Sequence, residues 1–561
     1  MDPVRLLLIS STAVLSLMLL IEWNQYSDDY HRDQAERYAA EVSKAPSTSP
    51  TYNSSNVNTP AAQSLSDIPS VVVSAATPVP SSIDKTGLAY LETDTLNIAI
   101  STDGGDVVDA SLPRFPVRLD TPDQPFLLLE SSAFRTYVAQ SGLIGPDGID
   151  ASGKRAQYLS LGTTVNDDNS RTLSLAWTGN RDDNLQVIKS FTAADDRYFI
   201  DVDYTITNSG SSPASMTSFA QLKRDNTEAP DANVGFGVSP YLGAALTQPE
   251  ERYTKLSFSD LADEPFAKKL PAGWVAILQH YFVSAWIPAQ NQSHDFFASK
   301  LSSGDNVIGF KNPSVTVQPG ETTTISQRLY VGPKDQVALA DIAENLDLVI
   351  DYGWLWWLAQ PLFWLLTFIQ TFVVNWGVAI IILTIVVKLA FFRLSAASYK
   401  SMAKMRTVQP KIQSIRDQYA DDKNKQQQAM MELWKKEKIN PMGGCLPMLI
   451  QMPVFIALYW VLLESVELRH APFILWIDDL SAMDPYFVLP ILMGISMYLM
   501  QRLNPAPPDP MQAKIMQYMP IAFTFLMMWF PAGLVLYWLC NNLLSFAQQY
   551  VVTRQIEQAA R

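Results

Sequence analysis

Two long uncharged stretches constrain the fold of this chain more than any other feature. Residues 353–387 and 515–553 contain no Asp, Glu, Lys or Arg over 35 and 39 positions. Single helices of those lengths would measure about 52 and 58 Å, against a hydrocarbon core of ~30 Å. We expect 515–553 to form two membrane spans that fold at Pro531-Ala532-Gly533. The stretch 353–387 should form a helix in the membrane interface followed by one span.

Shorter apolar runs supply the remaining predicted spans. They cover residues 6–21, 445–463 and 485–501. Because no small-x-small cleavage site follows residue 21, we interpret the first run as an uncleaved signal anchor, with a cleavable signal peptide as the alternative. The predicted fold class is therefore a polytopic α-helical membrane protein with six transmembrane helices, five of which follow residue 375.

Lys and Arg residues are distributed unevenly between the predicted loops. Residues 395–444 hold ten of them, whereas 467–484 hold one, Arg469. Positively charged loops tend to remain in the cytoplasm. We therefore expect a bacterial inner-membrane protein whose two termini and segment 395–444 are cytoplasmic. The acidic region 22–344 should then be periplasmic.

This acidic region has the sequence pattern of a separate soluble domain. Residues 22–344 contain 23 Lys+Arg and 40 Asp+Glu, a balance of −17. Such a charge argues against nucleic-acid recognition by this region, because phosphate binding needs a basic face. Apolar and polar residues alternate in stretches such as 172–177 and 198–204, between turn-forming residues. We predict an all-β sandwich domain, preceded at 24–85 by a disordered tether rich in Ser, Thr, Pro and Ala.

Segment 395–444 has a helical pattern interrupted by polar residues at 421–424. We expect an antiparallel helical hairpin, with Pro410 in the first turn of one helix. Its apolar positions include Met402, Met405, Met430 and Leu433. These side chains could simply pack the hairpin together. Alternatively, they could receive varied apolar partners, since methionine side chains adapt to irregular surfaces.

Lys388 interrupts the apolar sequence of a predicted span. A charge at the bilayer centre costs about 2.5–3.5 kcal/mol on insertion scales, so it indicates a functional cavity. A cluster of polar residues around this cation would make a hydrophilic groove, and the candidates are Lys388, Thr384, Gln451, Tyr537, Asn541 and Asn542. Two alternatives remain open: the lysine could extend to the cytoplasmic surface, and the other residues could make isolated hydrogen bonds between helices.

The sequence contains no recognisable catalytic or metal-binding pattern. It has no nucleophile elbow, zinc-protease motif or phosphate-binding loop. The two cysteines, Cys445 and Cys540, lie in apolar runs, and the four histidines form no cluster with them. We therefore predict that the protein is not an enzyme and that it needs no metal or other cofactor.

Several short motifs occur together along the chain. In the apolar half they are Asn375-Trp376-Gly377, Gln409-Pro410-Lys411-Ile412, Asn440-Pro441-Met442-Gly443-Gly444-Cys445, Leu449-Ile450-Gln451-Met452-Pro453 and Trp529-Phe530-Pro531-Ala532-Gly533-Leu534, and in the acidic half they are 279–288 and Tyr330-Val331-Gly332-Pro333. They closely resemble the YidC/Oxa/Alb family of membrane protein insertases, in its Gram-negative form with a large periplasmic domain.

The resemblance implies a fold, a site and partners. Five core helices would surround a groove that is open to the cytoplasm and to lipid, with one cation inside. That position is Lys388, where many relatives carry arginine, and Arg393 stands where the family pattern has proline. The periplasmic domain would resemble the sugar-mutarotase-like supersandwich. Implied partners are nascent membrane proteins, the Sec translocon with its accessory subunits, the ribosome and targeting machinery, and the lipid bilayer.

The apolar runs and the segments between them divide the chain into consecutive parts. We assign a signal anchor to 1–23, the tether to 24–85, the β-domain to 86–345, an interfacial helix to 346–375, spans to 376–394, 445–466, 485–501, 515–531 and 532–553, the cytoplasmic hairpin to 395–444, loops to 467–484 and 502–514, and a tail to 554–561. Two alternative functions are a secondary transporter and a membrane-anchored carbohydrate-modifying enzyme. The first lacks an inverted repeat, and the second leaves the hairpin unexplained.

Overall fold

A computed structural model describes residues 87–150, 154–179, 184–229, 240–419, 422–437, 446–503 and 510–560. The predicted signal anchor and tether lie outside these residues, as does Cys445. All of the described residues belong to one compact unit, Ser64–Arg561.

The first part of the described chain consists almost entirely of strands. In chain order they are β1 (Leu88–Glu92), β2 (Asn97–Ser101), β3 (Val107–Pro116), β4 (Pro125–Ser131), β5 (Thr136–Ile144), β6 (Tyr158–Val165), β7 (Arg171–Trp177), β8 (Leu185–Ala193), β9 (Phe199–Asn208), β10 (Ala214–Arg224), β11 (Gly243–Leu246), β12 (Thr254–Leu256), β13 (Phe266–Leu270), β14 (Val275–Leu278), β15 (Phe282–Ile287), β16 (His294–Lys300), β17 (Asn306–Lys311), β18 (Val315–Val317) and β19 (Thr322–Pro333).

These strands form two antiparallel sheets. The first has the order β1-β2-β3-β4-β5-β10-β17-β16-β13, and β18 also pairs with β10. The second has the order β12-β11-β14-β15-β19-β9-β8-β7-β6. The short connections between sequential strands explain why antiparallel pairing dominates.

The sequence pattern accounts for the faces of individual strands. Along β9, buried residues alternate with partly exposed ones from end to end, as expected for a strand with one solvent-facing side. Every residue of β15 is buried. Its outer face is covered by the helix α1 (Gln336–Ile342) and the turn after it, through Leu339 and Leu346. Asp335 caps α1 by accepting from the backbone amides of two residues in its first turn.

The two sheets pack face to face around one hydrophobic core. Phe126 of β4 stacks on Phe282 of β15 with ring centroids 4.2 Å apart, so residues of both sheets meet directly. The buried Trp286 donates its indole N–H to the carbonyl of Gln221, 3.1 Å away in the opposite sheet. The predicted all-β sandwich is therefore confirmed. Its finer assignment as a mutarotase-like supersandwich stays a prediction.

A buried lysine also joins the two sheets. Lys189 of β8 donates from Nζ to the carbonyls of Ser141 in β5, at 3.1 Å, and of Gly105, at 2.6 Å. Gly105 has a φ of 63°, a backbone conformation that glycine adopts at little cost. Because burial disfavours the charged amine, the pKa of Lys189 is lowered to about 7.

Two carboxylates and an arginine surround this lysine. Arg155 donates to Asp150 at 3.2 Å and also pairs with Asp106. The side chain of Asp150 is fully buried and accepts from the backbone amides of Leu143 and Ala156, each at 3.0 Å. Asp150 therefore ties the end of β5 to the segment that leads into β6.

The second part of the described chain is helical. Its longer helices are α2 (Trp356–Val373), α3 (Trp376–Ala390), α4 (Phe392–Gln418), α5 (Lys423–Glu437), α6 (Leu446–Glu464), α7 (Val488–Arg502), α8 (Pro510–Met527) and α9 (Ala532–Ala560). Helices α2, α3, α6, α7, α8 and α9 contribute to one hydrophobic cluster. The predicted fold class combines a β-domain with a helical region, and these helices form that helical region.

A helix that crosses a membrane must be long enough to span the bilayer and must have an apolar composition. Within the described residues no single helix satisfies both requirements, whereas the pair Trp376–Ala390 and Phe392–Met405 does so together, with a bend of 68°. Ile450–Glu464 and Val488–Arg502 are apolar but shorter. The count of six transmembrane helices therefore stays a prediction.

The bend lies inside a segment that the sequence predicts as one straight span, 376–394. Helix α3 ends at Ala390, and α4 begins at Phe392. Phe391 between them has φ −93° and ψ 6°, outside the helical region. Pro410 also differs from expectation, because it lies inside α4 and not in the first turn of a helix.

Candidate functional site: a buried lysine between three helices

Lys388 is held inside the helical region. It lies in the last turn of α3, and its side chain is buried, with 9% exposure. Nζ donates to Oγ of Ser545 at 2.6 Å and to Oε1 of Gln451 at 3.2 Å. The lysine therefore points toward α6 and α9 and does not extend along its own helix to a surface.

Gln451 continues this hydrogen-bond chain. Its Oε1 accepts from Lys388, and its Nε2 donates to Oδ1 of Asn541 on α9. Ser545 lies one turn after Asn541 and donates its own hydroxyl to the Asn541 carbonyl at 2.7 Å. Polar groups of α3, α6 and α9 are thus joined, with two of them from α9, which fixes the orientation of the ammonium group.

The ammonium group has neutral neighbours. In the described part of the chain, no carboxylate pairs with Lys388. A lysine amine carries three donor hydrogens, so two neutral acceptors leave capacity for another ligand. We call the four hydrogen-bonded residues Lys388, Gln451, Asn541 and Ser545 the lysine site.

A small pocket adjoins the lysine site, with about 270 Å³ of empty space including the open solvent at its mouth. It is lined by Val387, Lys388, Phe391, Leu394, Ser395, Ile450 and Gln451. The pocket lies where α3 bends into α4, so the bend opens space beside the cation. Arg393, in the first turn of α4, is exposed and lies outside this lining. Its position gives no support to a second charge inside the pocket.

The other three predicted groove residues have different surroundings. Thr384 is buried and donates its hydroxyl to the Ile380 carbonyl of its own helix, at 2.7 Å. Asn542 donates to Oγ of Ser496 on α7, at 3.2 Å. Tyr537 is buried against Phe455, with ring centroids 6.4 Å apart, and its hydroxyl neighbours the side chain of Gln451 without a hydrogen bond of normal length. The structure thus joins three of the six predicted residues and adds Ser545.

The hairpin residues form a separate group. Met405, Met430 and Leu433 pack against Val408 and Ile412 between α4 and α5. Met402 is partly buried and is not a member of this cluster. This packing supports the simpler interpretation for three of the four residues. A role in receiving partners stays a prediction.

Helix α2 presents a broad aromatic surface. Trp364 and Phe372 are largely exposed, and Phe368 stacks on Trp364 with centroids 5.5 Å apart. The opposite side of α2 packs into the helical cluster through Ala359 and Leu366. Tryptophan and phenylalanine on one face and apolar contacts on the other suit a helix at a membrane–water interface.

Two family models together match both the helical part and the β-sandwich of this chain, and they describe a class of inner-membrane proteins. A family model described as "60Kd inner membrane protein" matches residues 368–559, and one described as "YidC periplasmic domain" matches 89–365. The chain belongs to the YidC family. It is an inner-membrane protein with a periplasmic β-domain.

Relatives align along the whole chain. The "Membrane protein insertase YidC" of Marinomonas sp. (strain MWYL1) is 49% identical, with all of both chains covered. The protein of the same name from Stutzerimonas stutzeri (strain A1501) is 47% identical, again over 100% of each chain. A solved structure titled "Active YidC insertase crystal structure with the first transmembrane domain resolved" is 18% identical, covers 84% of this chain and 93% of its own, and has a TM-score of 0.38.

Proposed function

We propose that this protein inserts other proteins into the inner membrane and assists their folding, and that the lysine site is where it receives them. The observation that carries this proposal is a buried ammonium group with neutral partners beside a pocket. A structural lysine in an apolar region would be expected to pair with an acidic side chain or with backbone carbonyls. The activity proposed is not enzymatic, and it uses no cofactor.

The proposed mechanism follows from electrostatics. An acidic group of a substrate at ~4 Å from Lys388 would be attracted by about 4 kcal/mol at an effective dielectric near 20, before desolvation. This is similar to the cost of placing one charge in the bilayer, about 2.5–3.5 kcal/mol. The site would therefore offset the barrier for a polar tail, while burial of the apolar segment in lipid drives insertion.

Insertion by the isolated protein tests the proposal. The purified chain in liposomes should increase the protease-protected fraction of a small membrane protein that has an acidic N-terminal tail. Empty liposomes and liposomes containing an unrelated inner-membrane protein serve as controls. Equal protection in all three samples would contradict the proposed activity.

The proposed partners follow from this activity. Nascent membrane proteins are the substrates, delivered by the ribosome and targeting machinery. Some would be received from the Sec translocon and its accessory subunits. The exposed aromatic surface of α2 would contact the lipid bilayer.

The proposed topology has six spans, with both termini and the α4–α5 hairpin in the cytoplasm. Cysteines are introduced by Asn424→Cys in α5 and by Asp478→Cys in the loop after α6, both at exposed positions. The background carries Cys445→Ser and Cys540→Ser. A membrane-impermeant maleimide should label the first only from the cytoplasmic side and the second only from the periplasmic side. Labelling of both from one side would exclude this topology.

We also infer that the hairpin contributes to substrate reception. Replacing residues 417–438 with a short Gly/Ser linker should lower the protected fraction of substrate severalfold, because the hairpin's apolar surface is lost. Met431 is half exposed on α5, so Met431→Gln provides a milder variant that retains the fold. The amount of protein in the membrane is the control. Normal insertion by the deletion variant would reduce the hairpin to a spacer.

A further inference from the structure

The periplasmic domain and helix α6 meet through a buried ion pair. Lys334 follows the last residue of β19, and Glu464 is the last residue of α6. Nζ of Lys334 lies 3.3 Å from Oε2 of Glu464, and the two side chains are 3% and 5% exposed. Charged side chains are rarely buried to this degree unless they are paired. The pair therefore depends on both partners.

Two further contacts hold the same end of α6. The ring of His280, between β14 and β15, donates from Nε2 to the carbonyl of Leu463 at 2.8 Å. This bond satisfies one of the carbonyls that a helix leaves free at its C-terminal end. Val466, just after α6, is buried as a member of the sandwich core. The helix end is thus held by charge, by a hydrogen bond and by apolar packing.

The loop after α6 is fixed to the β-domain as well. The guanidinium of Arg469 donates to the carbonyl of Pro116 at 2.8 Å and to that of Val117 at 3.2 Å. The same group lies over the rings of Phe126 and Phe282, 5.7 and 5.6 Å from their centroids. We call Lys334, Glu464, His280, Val466 and Arg469 the domain seam.

Helix α6 connects the domain seam with the lysine site. Gln451 lies 13 residues before Glu464 on this helix, a rise of about 20 Å. Between them, Ala457 and Val461 are fully buried in the helical cluster. A packed helix transmits a shift or rotation of one end to the other, because its core contacts are not freely deformable. Pro453 lies between Gln451 and Glu464 and removes one backbone hydrogen bond, so the side-chain packing of α6 has to carry a shift of Glu464 to Gln451.

We propose that Lys334 and Glu464 are positioning residues that set the depth and rotation of α6, so that Gln451 reaches Lys388. This inference assigns the periplasmic domain a role in shaping the membrane site, and it rests on the proposed function for its biological meaning. It does not require that either residue contacts a substrate.

Single and double substitutions of Lys334 and Glu464 should affect the lysine site differently. Removal of one partner leaves a buried charge without compensation, and a movement of the end of α6 toward solvent relieves it. Replacement of both by apolar side chains of similar length removes the charge and restores packing. Lys334→Met should therefore disturb the lysine site, and Lys334→Met/Glu464→Met should restore it.

The reporter is a cysteine introduced by Ile450→Cys, in a background with Cys445→Ser and Cys540→Ser. Ile450 lies on α6 next to Gln451 and lines the pocket. Its rate of alkylation by an impermeant maleimide in proteoliposomes reports the position of α6 without any substrate. We expect Lys334→Met to change the rate at least threefold and the double variant to lie within twofold of the parent.

A second ion pair of the β-domain provides the matched control. Lys223 and Asp305 are also 3.3 Å apart, with side chains 14% and 17% exposed, and lie outside the domain seam. Lys223→Met should leave the alkylation rate unchanged. Protease resistance of the β-domain confirms folding in each variant.

Two results would overturn the inference: an unchanged rate in Lys334→Met, or a changed rate that the double variant fails to restore. Because alkylation requires no substrate, either result is independent of whether the protein inserts other proteins.

Discussion

Lys388→Glu should reduce insertion of substrates with acidic tails by at least tenfold, the largest functional loss expected from a single substitution in this chain. The reversal replaces attraction by repulsion at a site where a pair at ~4 Å is worth about 4 kcal/mol before desolvation. Much of this energy is offset by desolvation, and a net loss of about 1.4 kcal/mol already corresponds to a factor of ten. The measurement is the protease-protected fraction in proteoliposomes.

Two further substitutions of Lys388 distinguish the effect of its charge from the effect of its shape. Lys388→Arg should retain insertion, since it keeps the charge, whereas Lys388→Ala should lose much of it. Each should be tested also with Arg393→Pro, because Arg393 is an exposed cation in the first turn after the bend. A substrate with a neutral tail should respond less to all of these changes.

If Lys388 has no role in receiving substrate, its substitutions should rank in a different order of insertion activity. Lys388→Ala would then be nearly harmless or even favourable, because it removes an intramembrane charge that costs about 2.5–3.5 kcal/mol. Equal protection by the parent and Lys388→Ala in both backgrounds would refute the role of the charge. The other lines of support for insertase activity would remain.

Asp150→Ala should destabilise the periplasmic domain by about 3–5 kcal/mol, the largest stability loss that we expect from a single substitution in the β-domain. The substitution leaves Arg155 with one carboxylate and removes the acceptor of two backbone amides, those of Leu143 and Ala156. Lys189 lies in the same buried cluster, so positive charge would then exceed negative charge there.

An exposed pair of the same domain is the control. Asp201 pairs with Arg328 at 2.7 Å, but both side chains are more than a third exposed. Asp201→Ala should cost no more than about 1 kcal/mol. Urea titration of the full chain in detergent, read by pulse proteolysis of the β-domain, compares the two. Equal midpoints for Asp150→Ala and Asp201→Ala would show that the buried cluster contributes little.

The sequence predicts the β-domain well, because strand periodicity is a local signal. The alternation along β9 is visible in residues 199–208 and agrees with the observed burial. Strands such as β15 carry no alternation, since both faces are buried. Which strands pair with which, and that α1 covers β15, depend on long-range contacts that no local pattern records.

The lysine site was predictable in part. Lys388, Gln451 and Asn541 stand out as polar residues in apolar helices, and the structure joins them. Adjacent helical residues differ by about 100° in direction, so Asn541 and Asn542 could not both face one site. Ser545 was missed, although its spacing of four residues from Asn541 places the two on one face.

The bend between α3 and α4 was harder to predict from the sequence than the lysine site. Sharp bends usually follow a proline or a glycine. Neither is present at Phe391, and its nearest neighbours Leu389, Ala390 and Phe392 are apolar and continue the helical pattern. A bend at such a position is set by tertiary packing, which the sequence of one segment does not contain.

The insertion of Val466 into the sandwich core has a consequence for biosynthesis. The strands of that core end at Pro333, whereas Val466 follows α6, more than a hundred residues later. At typical translation rates that interval lasts on the order of ten seconds. The core of the periplasmic domain therefore keeps one interior position unfilled until the third predicted span has left the ribosome and crossed the membrane. Completion of the soluble domain would then report that the first part of the membrane core is in place.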